Sequence, residues 1–139
     1  MEPLRAHHTG VTVRDLDRAV VFYRDTLGLP VVDRFSVDGE AFSAAVGVDG
    51  ASADFAHLDA GDVRVELVAY EPEGAAVGPQ TVNEPGTAHL GFSTPDLDAF
   101  YASLSDGVET HGPPRRTASG TRILFVRDPE GNLVEVLEA

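Results

Sequence analysis

The chain contains itself twice, and a tandem repeat constrains architecture before any other signal does. His8-Thr9-Gly10-Val11-Thr12-Val13-Arg14-Asp15-Leu16-Asp17 matches His89-Leu90-Gly91-Phe92-Ser93-Thr94-Pro95-Asp96-Leu97-Asp98. The shared pattern is His-x-Gly-apolar-Ser/Thr-x-x-Asp-Leu-Asp, and positions 8 and 89 set an offset of 81 residues. An amphipathic stretch follows each copy. Leu16, Ala19, Val20, Tyr23 and Leu27 fall on one helical face, as do Leu97, Phe100, Tyr101, Leu104 and Val108. Asp15 and Asp96 stand where an N-cap belongs, and Gly28 and Gly107 stand near the stops. The copies also end alike, in Val65-Glu66-Leu67-Val68 and Val134-Glu135-Val136-Leu137.

The pattern predicts an α+β chain of two βαβββ modules. Module 1, about 6–70, has strands near 7–13, 30–37, 51–59 and 62–70 and a helix near 15–27. Module 2, about 87–138, has strands near 87–94, 108–111, 120–127 and 132–138 and a helix near 96–105. Extra length in the first copy lies around Gly39 to Gly50, where Ala41, Phe42, Ala45 and Val46 suggest a helical turn. Residues 71–86, rich in Gly and Pro, link the modules. A length of 139 residues fits one domain built from two such halves.

Strand alternation then sorts the side chains. Val63, Val65 and Leu67 share a face, and Arg64 and Glu66 point the other way. Glu135 likewise opposes Val134 and Val136. His8 and Gly10 oppose Val11 and Val13; His89 and Gly91 oppose Leu90 and Phe92. His8, Glu66, His89 and Glu135 therefore all leave the face expected to carry the helices, and Gly10 and Gly91 leave room beside the imidazoles. Two neutral imidazoles and two carboxylates are a nitrogen and oxygen set suited to an octahedral divalent ion with two open positions. Tetrahedral Zn²⁺ would be saturated by four protein ligands. His7 has the opposite phase and reads as exposed, while His57 and His111 have no repeat partner. Asp15, Asp17, Asp96 and Asp98 read as helix caps and first-turn acids.

Composition excludes whole classes of function. Ten basic residues against 23 acidic ones give a net charge of −13, and none of the ten is Lys. Nucleic acid and anionic membrane are poor partners for such a surface. The lack of cysteine removes disulfides, thiolate metal sites and a Cys nucleophile. No apolar run approaches the roughly 20 residues of a membrane span. The N-terminus lacks an apolar signal core, so a cytoplasmic location is expected. The lysine-free acid excess suggests a halophilic source, with stability and activity that depend on molar salt.

The motifs resemble the vicinal oxygen chelate superfamily, which holds glyoxalase I, methylmalonyl-CoA epimerase, extradiol dioxygenases, and bleomycin and fosfomycin resistance proteins. The resemblance runs from about residue 6 to 138. It opens on His8 to Val13, Asp15 to Ala19 and Phe22 to Leu29, and closes on Asp128-Pro129-Glu130-Gly131-Asn132-Leu133-Val134-Glu135. It implies one domain over 1–139, a cupped mixed sheet around one divalent ion (Ni, Co, Mn, Zn or Fe), and His8, Glu66, His89 and Glu135 as ligands. The implied activity is that of a lyase or isomerase acting on a small-molecule carbonyl substrate. Proton transfer would pass through a metal-bound enediolate or enolate, with Glu135 as first choice of base and Glu66 as second. Relatives of this size imply a homodimer. Thr12 and Tyr70 stand where similar glyoxalases carry an Arg and an Asn for glutathione, which argues against glutathione as cofactor. Tyr70, Arg64 and Arg122 are candidate substrate contacts. The family leaves two other readings open: an extradiol-type dioxygenase, and an antibiotic-resistance or small-molecule-binding protein of the bleomycin-resistance type.

Overall fold

A computed structural model describes residues 1–138 of the chain; Ala139 lies outside the described residues. The residues divide into two units, Met1–Ala76 and Val77 onward, and the boundary falls inside the Gly/Pro-rich linker. The first unit runs β1 (His8–Thr12), α1 (Leu16–Val21), a π-helical turn (Phe22–Thr26), β2 (Val31–Val37), α2 (Glu40–Val46), β3 (Ser52–Asp59) and β4 (Arg64–Glu71). The second runs β5 (His89–Ser93), α3 (Leu97–Ser103), β6 (Arg115–Arg116), β7 (Arg122–Arg127) and β8 (Leu133–Glu138).

Each unit holds one four-stranded sheet of the same topology, β1-β4-β3-β2 and β5-β8-β7-β6. The first and last strands of each copy pair in parallel, and the other pairings are antiparallel. Equivalent residues occupy equivalent registers: Gly10 lies across from Glu66, and Gly91 from Glu135. The ladder ends alike too, with Val13 N donating to Val68 O at 2.8 Å and Thr94 N to Leu137 O at 2.9 Å.

The helix starts follow from the two aspartates. Asp15 Oδ1 accepts from Arg18 N at 3.1 Å, and Asp96 Oδ1 from Ala99 N at 2.9 Å, which satisfies an otherwise orphaned first-turn donor in each helix. α1 packs on β3 and β4, where Ala56, Leu58, Val65 and Leu67 meet Leu16, Ala19, Val20 and Tyr23. Leu58, Leu67, Ala56 and Tyr23 are fully buried. Burying a Leu completely contributes about 1.5–3 kcal/mol, so this face anchors the unit. α3 covers β7 and β8 in the same way, over Leu124, Val126, Val134 and Val136.

Three expectations need correction. The helix expected over 15–27 is α-helical only to Val21. Leu27 N then bonds to Phe22 O, one residue wider than an α turn, and this turn buries the adjacent rings of Phe22 and Tyr23 together. The helix expected over 96–105 ends at Ser103, with Leu104 already extended at ψ 136°. The strand expected at 108–111 is a single bridge, Thr110 to Val126. Pro113 and Pro114 follow, and proline has no N–H for a ladder, so pairing with β7 resumes only at Arg115–Arg116. The helical turn expected near Phe42 is α2, which seats Phe42 over a cluster of Ala53, Phe55, Val68 and Tyr70.

Candidate metal centre

Cross-strand partners share a face, and this turns His8, Glu66 and His57 to the side of the first sheet opposite α1. There His8 Nε2 stands 3.5 Å from Glu66 Oε2. In the second sheet His89 Nε2 stands 3.6 Å from Glu135 Oε1, on the side opposite α3. The environments repeat as well. The histidine side chains are 38% and 39% exposed, and their glutamates 15% and 19%. Each carboxylate is thus mostly covered, while each imidazole edge remains open.

The donors fit a divalent ion. Two ligand atoms each about 2.1 Å from one ion, at angles between octahedral and tetrahedral, stand about 3.0–3.4 Å apart. The observed pairs come within a few tenths of an ångström of that spacing. His7 adds to the fit. Its Nδ1 lies 2.8 Å from His8 Nδ1. With the shared proton on His8 Nδ1, the His8 Nε2 lone pair is free to bind metal, the usual arrangement for a ligating histidine. Among the described residues no group of three or more His, Asp or Glu side chains is arranged to hold one ion, so each unit presents a pair.

The glycines lie beside the carboxylates. A Cβ on Gly10 would sit 3.7 Å from Glu66 Oε1, and one on Gly91 4.0 Å from Glu135 Oε1. Neither backbone needs glycine, because neither φ is positive. What glycine provides is open volume next to an oxygen.

The three candidate substrate contacts have different fates. Arg64 lies on the Glu66 face, and its Nη1 reaches His57 Nδ1 at 3.2 Å. Tyr70 is on that face too, its ring stacked with Phe42 at 6.2 Å. Arg122 is turned to the helix side, away from Glu135. It pairs in register with Glu138, bonds to it at 3.3 Å, and bonds to Asp98 of α3 at 2.7 and 3.1 Å. The Arg122 hydrogen bond holds the Asp98 carboxyl below its ordinary value, and Asp98 raises Arg122 further. Glu138 also accepts from Leu97 N at 3.0 Å. This places Arg122 in a clamp between α3 and β8.

Sequence reasoning passed over His57, whose repeat partner is missing. It is 6% exposed, and its Nε2 lies 2.8 Å from Glu66 Oε2. A usable signal was present: counting outward from the turn at Gly61 puts His57 directly across from Glu66. The same count in the second hairpin puts Phe125 across from Glu135. Phe125 packs against His89 at 5.3 Å and stacks on His111 at 5.9 Å. The two carboxylates are therefore unequal. Glu66 has a buried donor, and among the described residues the only polar side chain in contact with Glu135 is His89.

Comparison with known proteins bears on the family and the fold. A family model described as Glyoxalase/Bleomycin resistance protein/Dioxygenase superfamily matches residues 5–136. The uncharacterised protein YraH of Bacillus subtilis is 29% identical over 130 residues, 89% of this chain and 90% of that protein. A 2-epi-5-epi-valiolone epimerase from Actinomyces is 30% identical over 142 residues, 94% of this chain and 77% of that one. The crystal structure of a glyoxalase family protein from Bacillus cereus superposes with a TM-score of 0.88 at 26% identity, covering 99% of this chain and 95% of that one. Repeat, register and match over nearly the whole length agree: the chain belongs to the glyoxalase/bleomycin resistance protein/dioxygenase superfamily.

Proposed function

We propose that the chain is a divalent-metal-dependent lyase or isomerase that moves a proton next to a carbonyl of a small substrate. In this reading residues 1–139 act as one domain, copies assemble as a homodimer in the cytoplasm, and His8, Glu66, His89 and Glu135 are the metal ligands. The observation that carries it is the duplicated pair, a histidine Nε2 and a glutamate oxygen 3.5 and 3.6 Å apart at matching registers. A divalent ion held by these residues would supply Lewis-acid chemistry, drawing electron density from a substrate carbonyl and acidifying the neighbouring C–H. The protein residues do the rest. Glu135 takes the proton from carbon and returns it, because no buried donor ties it down. Glu66 is second choice, since its hydrogen bond to His57 restrains it. The imidazoles of His8 and His89 would hold the metal through a ring nitrogen lone pair.

The test has two steps. Protein purified without chelator is analysed for metal. Small α-hydroxy and α-oxo carbonyl compounds are then incubated with it in heavy water, and exchange at the carbon beside the carbonyl is followed by NMR. Glu135→Gln should keep its metal and lose about 10²–10⁴-fold in exchange. A metal-loaded Glu135→Gln protein that exchanges as fast as the parent removes Glu135 as base. Oxygen uptake with catechols would instead show ring-cleaving dioxygenation.

A further inference from the structure

Of the five histidines, His57 alone is buried. Its two ring nitrogens are both engaged, and the chemistry of one neighbour fixes the role of each. A guanidinium has donors only. In the 3.2 Å contact between Arg64 Nη1 and His57 Nδ1, the imidazole nitrogen must therefore accept. A neutral ring then carries its proton on Nε2, aimed at Glu66 Oε2 at 2.8 Å. The chain of donation runs from Arg64 to His57 to Glu66.

We infer that Arg64 and His57 are positioning residues that lock Glu66 into place as the fixed carboxylate of the centre. The inference rests on the reading of Glu66 as a metal ligand. Outer hydrogen bonds of this kind orient a ligand and set its affinity for the ion. The same oxygen that receives the His57 proton faces His8 Nε2, so the bond sets the separation of the first pair. Module 2 has Phe125 at the equivalent register and no donor there. The duplicated fold thus carries one restrained carboxylate and one that can move, and the difference resides in a single cross-strand partner.

Packing alone does not account for the arrangement. The His57 ring meets Phe35 at 5.2 Å and His8 at 5.9 Å, contacts that a phenyl ring would also make. His57→Phe, which copies module 2, therefore removes the donor and keeps the packing. His57→Gln keeps an N–H able to reach the carboxylate.

The experiment uses the full chain and Co²⁺ alone, with affinity read by calorimetry and by the visible spectrum of the bound ion. Thermal unfolding of the metal-free variants confirms that each is folded. His57→Phe should bind Co²⁺ about 10–100-fold more weakly and shift the spectrum. His57→Gln should recover part of that loss, and Arg64→Leu should fall between. In the metal-free parent, long-range proton–nitrogen NMR should find the His57 proton on Nε2. Finding it on Nδ1 overturns the inference, as does a folded His57→Phe protein that binds Co²⁺ like the parent. If the parent binds no Co²⁺, the ligand reading falls and the inference falls with it. Equal binding by parent and His57→Phe removes only the positioning role.

Discussion

Replacing Gly10 separates what the strand needs from what the site needs. Gly10 sits in β1 across from Glu66 with an ordinary extended backbone. A glycine in such a place weakens a strand by about 0.5–1 kcal/mol relative to alanine. An added Cβ meets only Glu66 Oε1, at 3.7 Å, an ordinary van der Waals distance. Gly10→Ala should therefore be stabilising by that amount and raise Tm by roughly 1–4 °C. It leaves Oε2, the oxygen facing His8 and His57, untouched, so Co²⁺ affinity should change by only a few-fold. Gly10→Val is different. A γ-methyl reaches about 1.5 Å beyond the Cβ, and directed at Oε1 it comes within contact limits and turns the carboxylate away. The valine protein should stay folded and bind Co²⁺ at least about tenfold more weakly. Thermal unfolding by circular dichroism and a Co²⁺ titration measure both effects. Destabilisation of Gly10→Ala by more than about 1 kcal/mol would mean that the backbone itself requires glycine. Parental affinity in Gly10→Val would mean that the space beside Glu66 is not used.

Two further outcomes follow from the packing and the ion pairs. Leu67 is fully buried under α1, so Leu67→Ala should cost about 2–5 kcal/mol, read as a lower urea midpoint at unchanged slope; a loss under about 1 kcal/mol would contradict that packing. The Asp98 carboxyl is held below its ordinary value of 3.8 by Arg122, so its contribution is complete above 3.8 and is lost as pH falls through the lowered folded-state value. The stability difference between the parent and Asp98→Ala should accordingly shrink as pH falls below about 4, and a difference that grows on acidification would reverse the sign argued here.

What could be read from sequence follows from what was duplicated. The two His-x-Gly strands, the Asp15 and Asp96 caps and the inward phase of both glutamates were visible because each occurs twice under one alternation rule. Features belonging to one copy were harder to read. His57 has no twin because Phe125 replaces it, so repeat logic discounted the residue that holds Glu66. The π turn at Phe22–Thr26 keeps the apolar periodicity of a helix, and only the packing of two adjacent rings reveals the wider turn. The segment 108–111 reads as a strand from its start at Val108, yet Pro113 and Pro114 limit it to the one bridge from Thr110 to Val126. Arg122 opens a strand whose phase was ambiguous, and its partners on α3 and β8 settle its direction.

The parallel pairing of first and last strands also governs when a site can exist during synthesis. His8 leaves the ribosome early and Glu66 late, and β1 can meet β4 only after α1, the π turn, β2, α2 and β3 have been made. Contacts between such distant segments form slowly, since a long loop must close before any bond rewards it. A partly made module therefore holds His8 without Glu66. On the proposed ligand reading, an ion would therefore be captured only once β4 has paired with β1.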